Sequence, residues 1–503
     1  MLRTSSLGLG LAIALLAACG GLVEEEAPPT AVSASLKRMP DAAKELVITD
    51  PSVIEAPVET TFDRSRPSGT DRRGAWSFGR LVHNMLPKGK RDDARAASAF
   101  VNAWLEHWLA DQSPNAAVSP SAARPNIEPL VLGPWRTASG CAATDASCVL
   151  DMTKAPFRLL AIVNRPDLRI LASDGSAIGG EGRFVFQVVG PTLGRNVEGG
   201  PIEIIDATPR PQKFTVIFEY SLPVKDNAGT LAWADRWHHL GGLDFGEAFN
   251  ANLRDLTRDF SGPDADPRRP NGNALNQLRT NEVATVGARR FGAEAPLTVP
   301  QFWELREFRL TTAGLAQHTV NLEPSRDFDV ARPAFTPPMG TRSTELASWM
   351  IANEEAILAS REVLPAELSG NSALVGSAPF GAWGRSASNT APHSFVTADG
   401  VRVPDQVRDE FAVDTCAGCH RHESATPTPH FMHLSDRRAI DAVDQATLGL
   451  APPESDREAR AVVLSKFLQH EIAEDGPRYL DFVDLIAMKP KDVKEKRGRK
   501  ACR

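Results

Sequence analysis

Three runs, Phe157–Val163, Arg183–Val189 and Lys213–Tyr220, are rich in β-branched and aromatic residues. A further pair, Glu304–Leu310 and Gln317–Leu322, is separated by Thr311 to Ala316, which includes Gly314. Such runs read as strands, and the last pair as a hairpin with a glycine-bearing loop. Helical patterns lie among them. Ala99–Leu109 sets Phe100, Trp104, Trp108 and Leu109 at helical spacing, and Gly246–Phe260 and Thr344–Arg361 also read as helices. Strands joined by hairpins, mixed with helices and lacking regular strand–helix–strand alternation, predict an α+β fold: an antiparallel sheet packed with helices. No internal repeat recurs at a fixed period, which excludes solenoids and propellers.

A chain of 503 residues, 42% hydrophobic and 24% charged, can bury one large core or two to three domains. That balance excludes collagen-like, disordered and polytopic membrane proteins. The net charge of −7 argues against a nucleic-acid partner, which calls for a basic face. At the N-terminus, Arg3 precedes an apolar stretch from Leu7 to Leu16, too short to span a bilayer, and Leu16-Ala17-Ala18-Cys19-Gly20 follows. This resembles the lipobox of bacterial lipoproteins, which implies cleavage before Cys19 and acylation of that residue. Gly20 after the cysteine implies, by the same resemblance, an outer-membrane lipoprotein facing the periplasm or the cell surface. Glu24-Glu25-Glu26-Ala27-Pro28-Pro29 reads as a spacer. The expected organisation is a signal peptide at 1–18, a tether at 19–45, an α+β region at 46–400 and a smaller, mostly helical or irregular segment at 401–503. In an exported chain, Cys141 and Cys148 are expected to form a local disulfide.

One motif carries chemistry. Cys416-Ala417-Gly418-Cys419-His420 is Cys-x-x-Cys-His, the attachment signature of haem c. Two thiols three residues apart reach the two haem vinyl groups, and the histidine that follows serves as the proximal iron ligand. Covalent attachment takes place outside the cytoplasm, in agreement with an exported chain. Four of the eleven histidines, His420, His422, His430 and His433, fall between 420 and 433, with Met432 among them. His430, Met432, His433 or Met488 is a candidate sixth ligand. Methionine there raises the potential, histidine lowers it, and an open position permits peroxide chemistry. Zinc held by Cys416, Cys419 and two nearby histidines is the alternative cofactor, and a Cys416–Cys419 disulfide is a third reading. Cys502 is left over under haem or disulfide and is a fourth ligand only under zinc.

Other signals are weaker. The sequence has no Gly-x-Ser-x-Gly elbow, no phosphate-cradling loop and no His-Glu-x-x-His; His422-Glu423 and His470-Glu471 lack the second histidine. Enzymatic activity therefore depends on an open iron position. Trp237-His238-His239-Leu240 reads as carrying structural histidines, because neighbouring helical residues do not face one another. Asn276–Glu282 concentrates hydrogen-bonding side chains and reads either as a binding patch or as loop capping. Lys489–Arg503 holds eight Lys and Arg against two acids, a segment able to steer an acidic redox partner, touch anionic lipid or remain solvated.

The segment around Cys416 looks like a c-type cytochrome. Beyond it, Phe157–Arg165, Leu305–Leu310 and Phe411–His420 together resemble an uncharacterised group of predicted myxobacterial lipoproteins, over most of residues 95–490. That resemblance implies a shared fold and supplies no reaction. The functional expectation is a lipid-anchored, extracytoplasmic haem c protein for electron transfer or redox sensing, with the membrane through Cys19 and a redox protein as partners. The other class is a non-enzymatic binding or structural lipoprotein whose Cys/His cluster holds zinc or a disulfide.

Overall fold

A computed structural model describes residues 38–63, 65, 74–171, 177–193, 204–284, 302–328, 342–359, 361–376, 395–413, 415, 434–440 and 442–489. The strands used below are Val47–Ile48 (β1), Phe157–Arg165 (β2), Glu181–Leu193 (β3), Ile204–Ser221 (β4), Leu275–Ala284 (β5), Phe302–Thr311 (β6), Gly314–His318 (β7), Val320–Pro324 (β8), Ser369–Gly370 (β9) and Ala373–Gly376 (β10). An eight-stranded sheet runs β1-β2-β3-β4-β5-β6-β10, with β7 paired to β6, and every pairing is antiparallel. The structure is therefore α+β, with an antiparallel sheet and helices packed against it.

Period-two alternation gives the sheet two unlike faces. Ile162, Phe184, Phe218, Leu278 and Phe308 stand opposite one another across β2 to β6 and form an apolar row. Helices Ala42–Glu45 (α1), Phe78–Met85 (α2), Ala94–Leu105 (α3), Asn227–Leu240 (α4) and Glu247–Ser261 (α5) follow the chain through its first half. From α2, Phe78 stacks on Phe157 at 4.0 Å; from α3, Trp104 meets Phe308 at 6.2 Å; from α5, Phe260 meets Phe184 at 5.8 Å. Gly182 permits this last approach, because a Cβ there would lie 2.4 Å from the Phe260 ring. The α3 helix starts at Ala94, where the Asp93 carboxylate accepts from the amides of Arg95 and Ala96.

A second, smaller core gathers Phe328, Leu346, Met350, Phe395, Val407 and Phe411. It is built by Ser343–Ala352 (α6), Glu354–Leu358 (α7) and Asp405–Val413 (α8). Lys466–Ile472 (α9) and Pro477–Ala487 (α10) return to the main core, which includes Leu468, Tyr479, Phe482 and Leu485. No helix among the described residues is long and apolar enough to cross a membrane.

Several boundaries differ from expectation. The run Thr344–Arg361 is two helices, because Asn353 leaves helical geometry and its side chain donates to the Trp349 carbonyl. The hairpin loop shrinks to Thr312-Ala313, since Thr311 and Gly314 already pair and Gly314 supplies a φ of 140°. Gln317–Leu322 is shared by two strands, and β8 pairs with β9 outside the main sheet. Asn276–Glu282 is neither loop nor cap but the interior strand β5. The tether ends before residue 45: Glu45 is fully buried, and Leu46, Val47 and Ile48 lie in the core. Residue 400 separates no two cores, because α8 joins residues on both sides of it and 434–488 pack on the first core.

Candidate functional site

The described chain approaches the Cys-x-x-Cys-His motif along α8. Phe411 and Ala412 anchor the end of that helix in the second core, and Phe411 meets Trp349 edge-on at 5.7 Å. Thr415 is buried, and its amide and hydroxyl donate to the Ala412 carbonyl at 3.0 and 2.8 Å. Cys416, Cys419, His420, His422, Glu423, His430, Met432 and His433 lie outside the described residues, as do Cys19 and Cys502. The chain is described again from Leu434, whose strand Leu434–Asp436 pairs with Val462–Leu464. Ser435 lies 3.5 Å from the Gln187 amide on β3, and the buried Asp436 pairs with Arg158 on β2. Burial and the nearby Arg438 lower Arg158 to about 10.

Among the sixth-ligand candidates, Met488 is described. It follows α10 directly, donates its amide to the Leu485 carbonyl at 3.3 Å and packs half-buried against the main core. Cys141 and Cys148 form a disulfide, with Cα atoms 6.0 Å apart. His238 and His239 do not converge. His238 Nδ1 lies 2.9 Å from the Glu45 carboxylate, whose other oxygen takes Arg38 at 2.7 Å, while His239 is exposed.

Sequence reasoning missed a ladder of charge on the sheet face opposite the aromatic row. Arg183 faces Glu219, Glu219 faces Gln277, and Arg279 faces Glu307 across neighbouring strands. Arg183 bonds Glu181 at 2.6 Å and Glu219 at 3.3 Å; Arg279 bonds Glu219 at 3.3 Å and Glu307 at 3.1 Å. Gln277 donates to Glu219 at 2.5 Å, and Asn276 donates to Glu181 at 2.9 Å. The ladder surfaces at Arg309, 3.2 Å from Glu307, with His318 Nδ1 at 4.0 Å from the same carboxylate. The signal that could have revealed it is the alternation of charged with apolar residues in Glu307-Phe308-Arg309-Leu310.

The inner end of the ladder binds the C-terminal helices. Arg165 forks onto Asp167 at 2.7 Å, and Arg478 of α10 lies 3.9 Å from the same carboxylate. Burial alone would raise the Asp167 carboxyl, but Arg165 and Arg478 hold it well below the usual carboxylate range. Burial would lower Arg165, but Asp167 holds it above the usual value. Burial pushes Arg478 down to about 10 and Glu471 upward. Asp481 pairs with the fully buried Arg169. Glu181, Glu219, Glu307, Asp167 and Asp481 each pair with a guanidinium group. Among the described residues, no group of three or more His, Cys, Asp and Glu side chains is placed to hold a metal.

No protein-family model, curated protein or solved structure matches this chain.

Proposed function

We propose that the chain is a lipid-anchored, extracytoplasmic haem c protein acting in electron transfer or redox sensing. The observation that carries this reading is Cys416-x-x-Cys419-His420 in a chain that opens with a lipoprotein-type leader. The donor set fits the group: Cys416 and Cys419 would hold haem c, and His420 would ligate its iron. Bound haem supplies a one-electron iron centre. The disulfide between Cys141 and Cys148 agrees with an oxidising compartment. His430, Met432, His433 and Met488 are the candidates for the sixth ligand. Acylated Cys19 ties the protein to the outer membrane, and residues ahead of the motif dock a redox partner or shelter the cofactor.

The test is an absorption spectrum of the chain produced with haem c maturation machinery, followed by a denatured pyridine adduct. A Soret band that stays with the chain after denaturation is the expected result, and the reduced spectrum then distinguishes methionine from histidine ligation. A colourless protein, with maturation verified on a control cytochrome, overturns the reading. Metal analysis would then separate a zinc site from a Cys416–Cys419 disulfide.

A further inference from the structure

His107 joins three elements. It sits in the single turn Glu106–Trp108 that continues α3, half-buried, with its ring 5.5 Å from that of Phe308 on β6. Its Nδ1 lies 2.9 Å from Oε1 of Gln112, and its Nε2 lies 3.2 Å from the carbonyl oxygen of Leu315 on β7. Among the described residues β7 pairs with β6 alone, so His107 ties an edge strand to the end of a helix. Gln112 is fixed in turn, because its backbone amide and carbonyl exchange bonds with Ser121 at 2.9 Å each. Its Nε2 donates to the Ala110 carbonyl at 3.2 Å, which leaves Oε1 turned to the imidazole.

Both ring nitrogens therefore face oxygen acceptors. A neutral imidazole has one N–H and serves one of them, whereas the cation has two and serves both. Turning the Gln112 amide end for end would let a neutral ring accept at Nδ1, but it would set Oε1 against the Ala110 carbonyl, and one bond would still be lost. We infer that these contacts form a pH-sensitive joint, closed when His107 is protonated and loosened by one hydrogen bond when the proton leaves. The other charges around it are already placed. Arg306, which donates to the His107 carbonyl at 3.3 Å, is matched by Glu304 at 3.1 Å, and Arg124 pairs with Glu282 and Glu304. Asp111 accepts from the Ala123 amide, Glu106 is exposed, and Arg95 stands at the far end of α3. Glu307, Arg309 and His318 lie on the opposite face of the sheet from Phe308. The joint therefore holds the β6–β7 hairpin, which carries the outer end of the charge ladder, more tightly in acid than in base.

The experiment is hydrogen exchange of the full-length protein, read by mass spectrometry between about pH 5 and about pH 8, where imidazoles change charge. Rates are divided by those of the unstructured chain at each pH, and the rest of the protein is the reference. Protection in 105–112 and 312–318 is expected to fall about fivefold toward the basic end, the effect of one lost hydrogen bond. His107→Gln cannot titrate, and its profile over these stretches should be flat. Gln112→Ala keeps the ring but removes one acceptor, so a neutral His107 satisfies the remaining contact and the pH dependence should vanish there too. That second variant decides the matter if His107→Gln does not fold. A wild-type profile that is flat or rises with pH overturns the joint, as does an undiminished pH dependence in either folded variant.

Discussion

Asp167 sits where two buried arginines from different parts of the chain meet one carboxylate. Removing its charge takes away the carboxylate that Arg165 and Arg478 share, so Asp167→Asn is expected to cost about 3–5 kcal/mol in urea unfolding. The same residue governs acid sensitivity. Its folded-state value lies below the ordinary 3.8, so its stabilisation is complete above that value and is lost as pH falls below about 4. Glu471 acts in the opposite sense, because burial raises it above the ordinary 4.5: stability falls as pH climbs from about 4.5 through the raised folded value. Unfolding midpoints across a pH series should therefore lose the Asp167 contribution to the acid limb in Asp167→Asn, and flatten on the higher-pH side in Glu471→Gln. An unchanged profile in both variants would remove these groups from the account.

Among the elements, the strands were legible where one face was apolar. Phe184, Phe186, Phe214, Val216 and Phe218 announce β3 and β4 by alternation, and those strands form. The interior strand β5 was not legible, because Asn276, Gln277, Arg279 and Asn281 carry the polarity of a loop. For Asn276, Gln277 and Arg279, what favours a strand is the partner charge on β3, β4 and β6, which only tertiary pairing supplies. The break at Asn353 is similar, since helical spacing continues through it while its side chain competes for a helix carbonyl. The motif itself was legible from residue spacing, whereas the charge ladder needed the cross-strand pairings. A glycine tests the fit between element and sheet. Gly182→Ala drives a methyl against the Phe260 ring and should destabilise by about 1–3 kcal/mol in thermal or urea unfolding, through forced displacement of α5.

At the scale of the whole molecule, the beginning and end of the described chain close on each other around α4. Tyr479→Phe deletes the hydroxyl that reaches Pro40 and should cost about 1 kcal/mol. Hydrogen exchange should then quicken in 38–48 and 477–487 together; quickening in one stretch alone would show that the two ends open independently. The two faces of the sheet carry a further consequence for how the polypeptide assembles. Should a strand settle one residue out of place against its neighbour, Glu219, Arg279 or Glu307 would be driven in among Phe78, Trp104 and Phe260, while phenylalanines would be left facing guanidinium groups. Such a slip forfeits both aromatic packing and ionic pairing, so misalignment along these stretches is penalised on both faces at once.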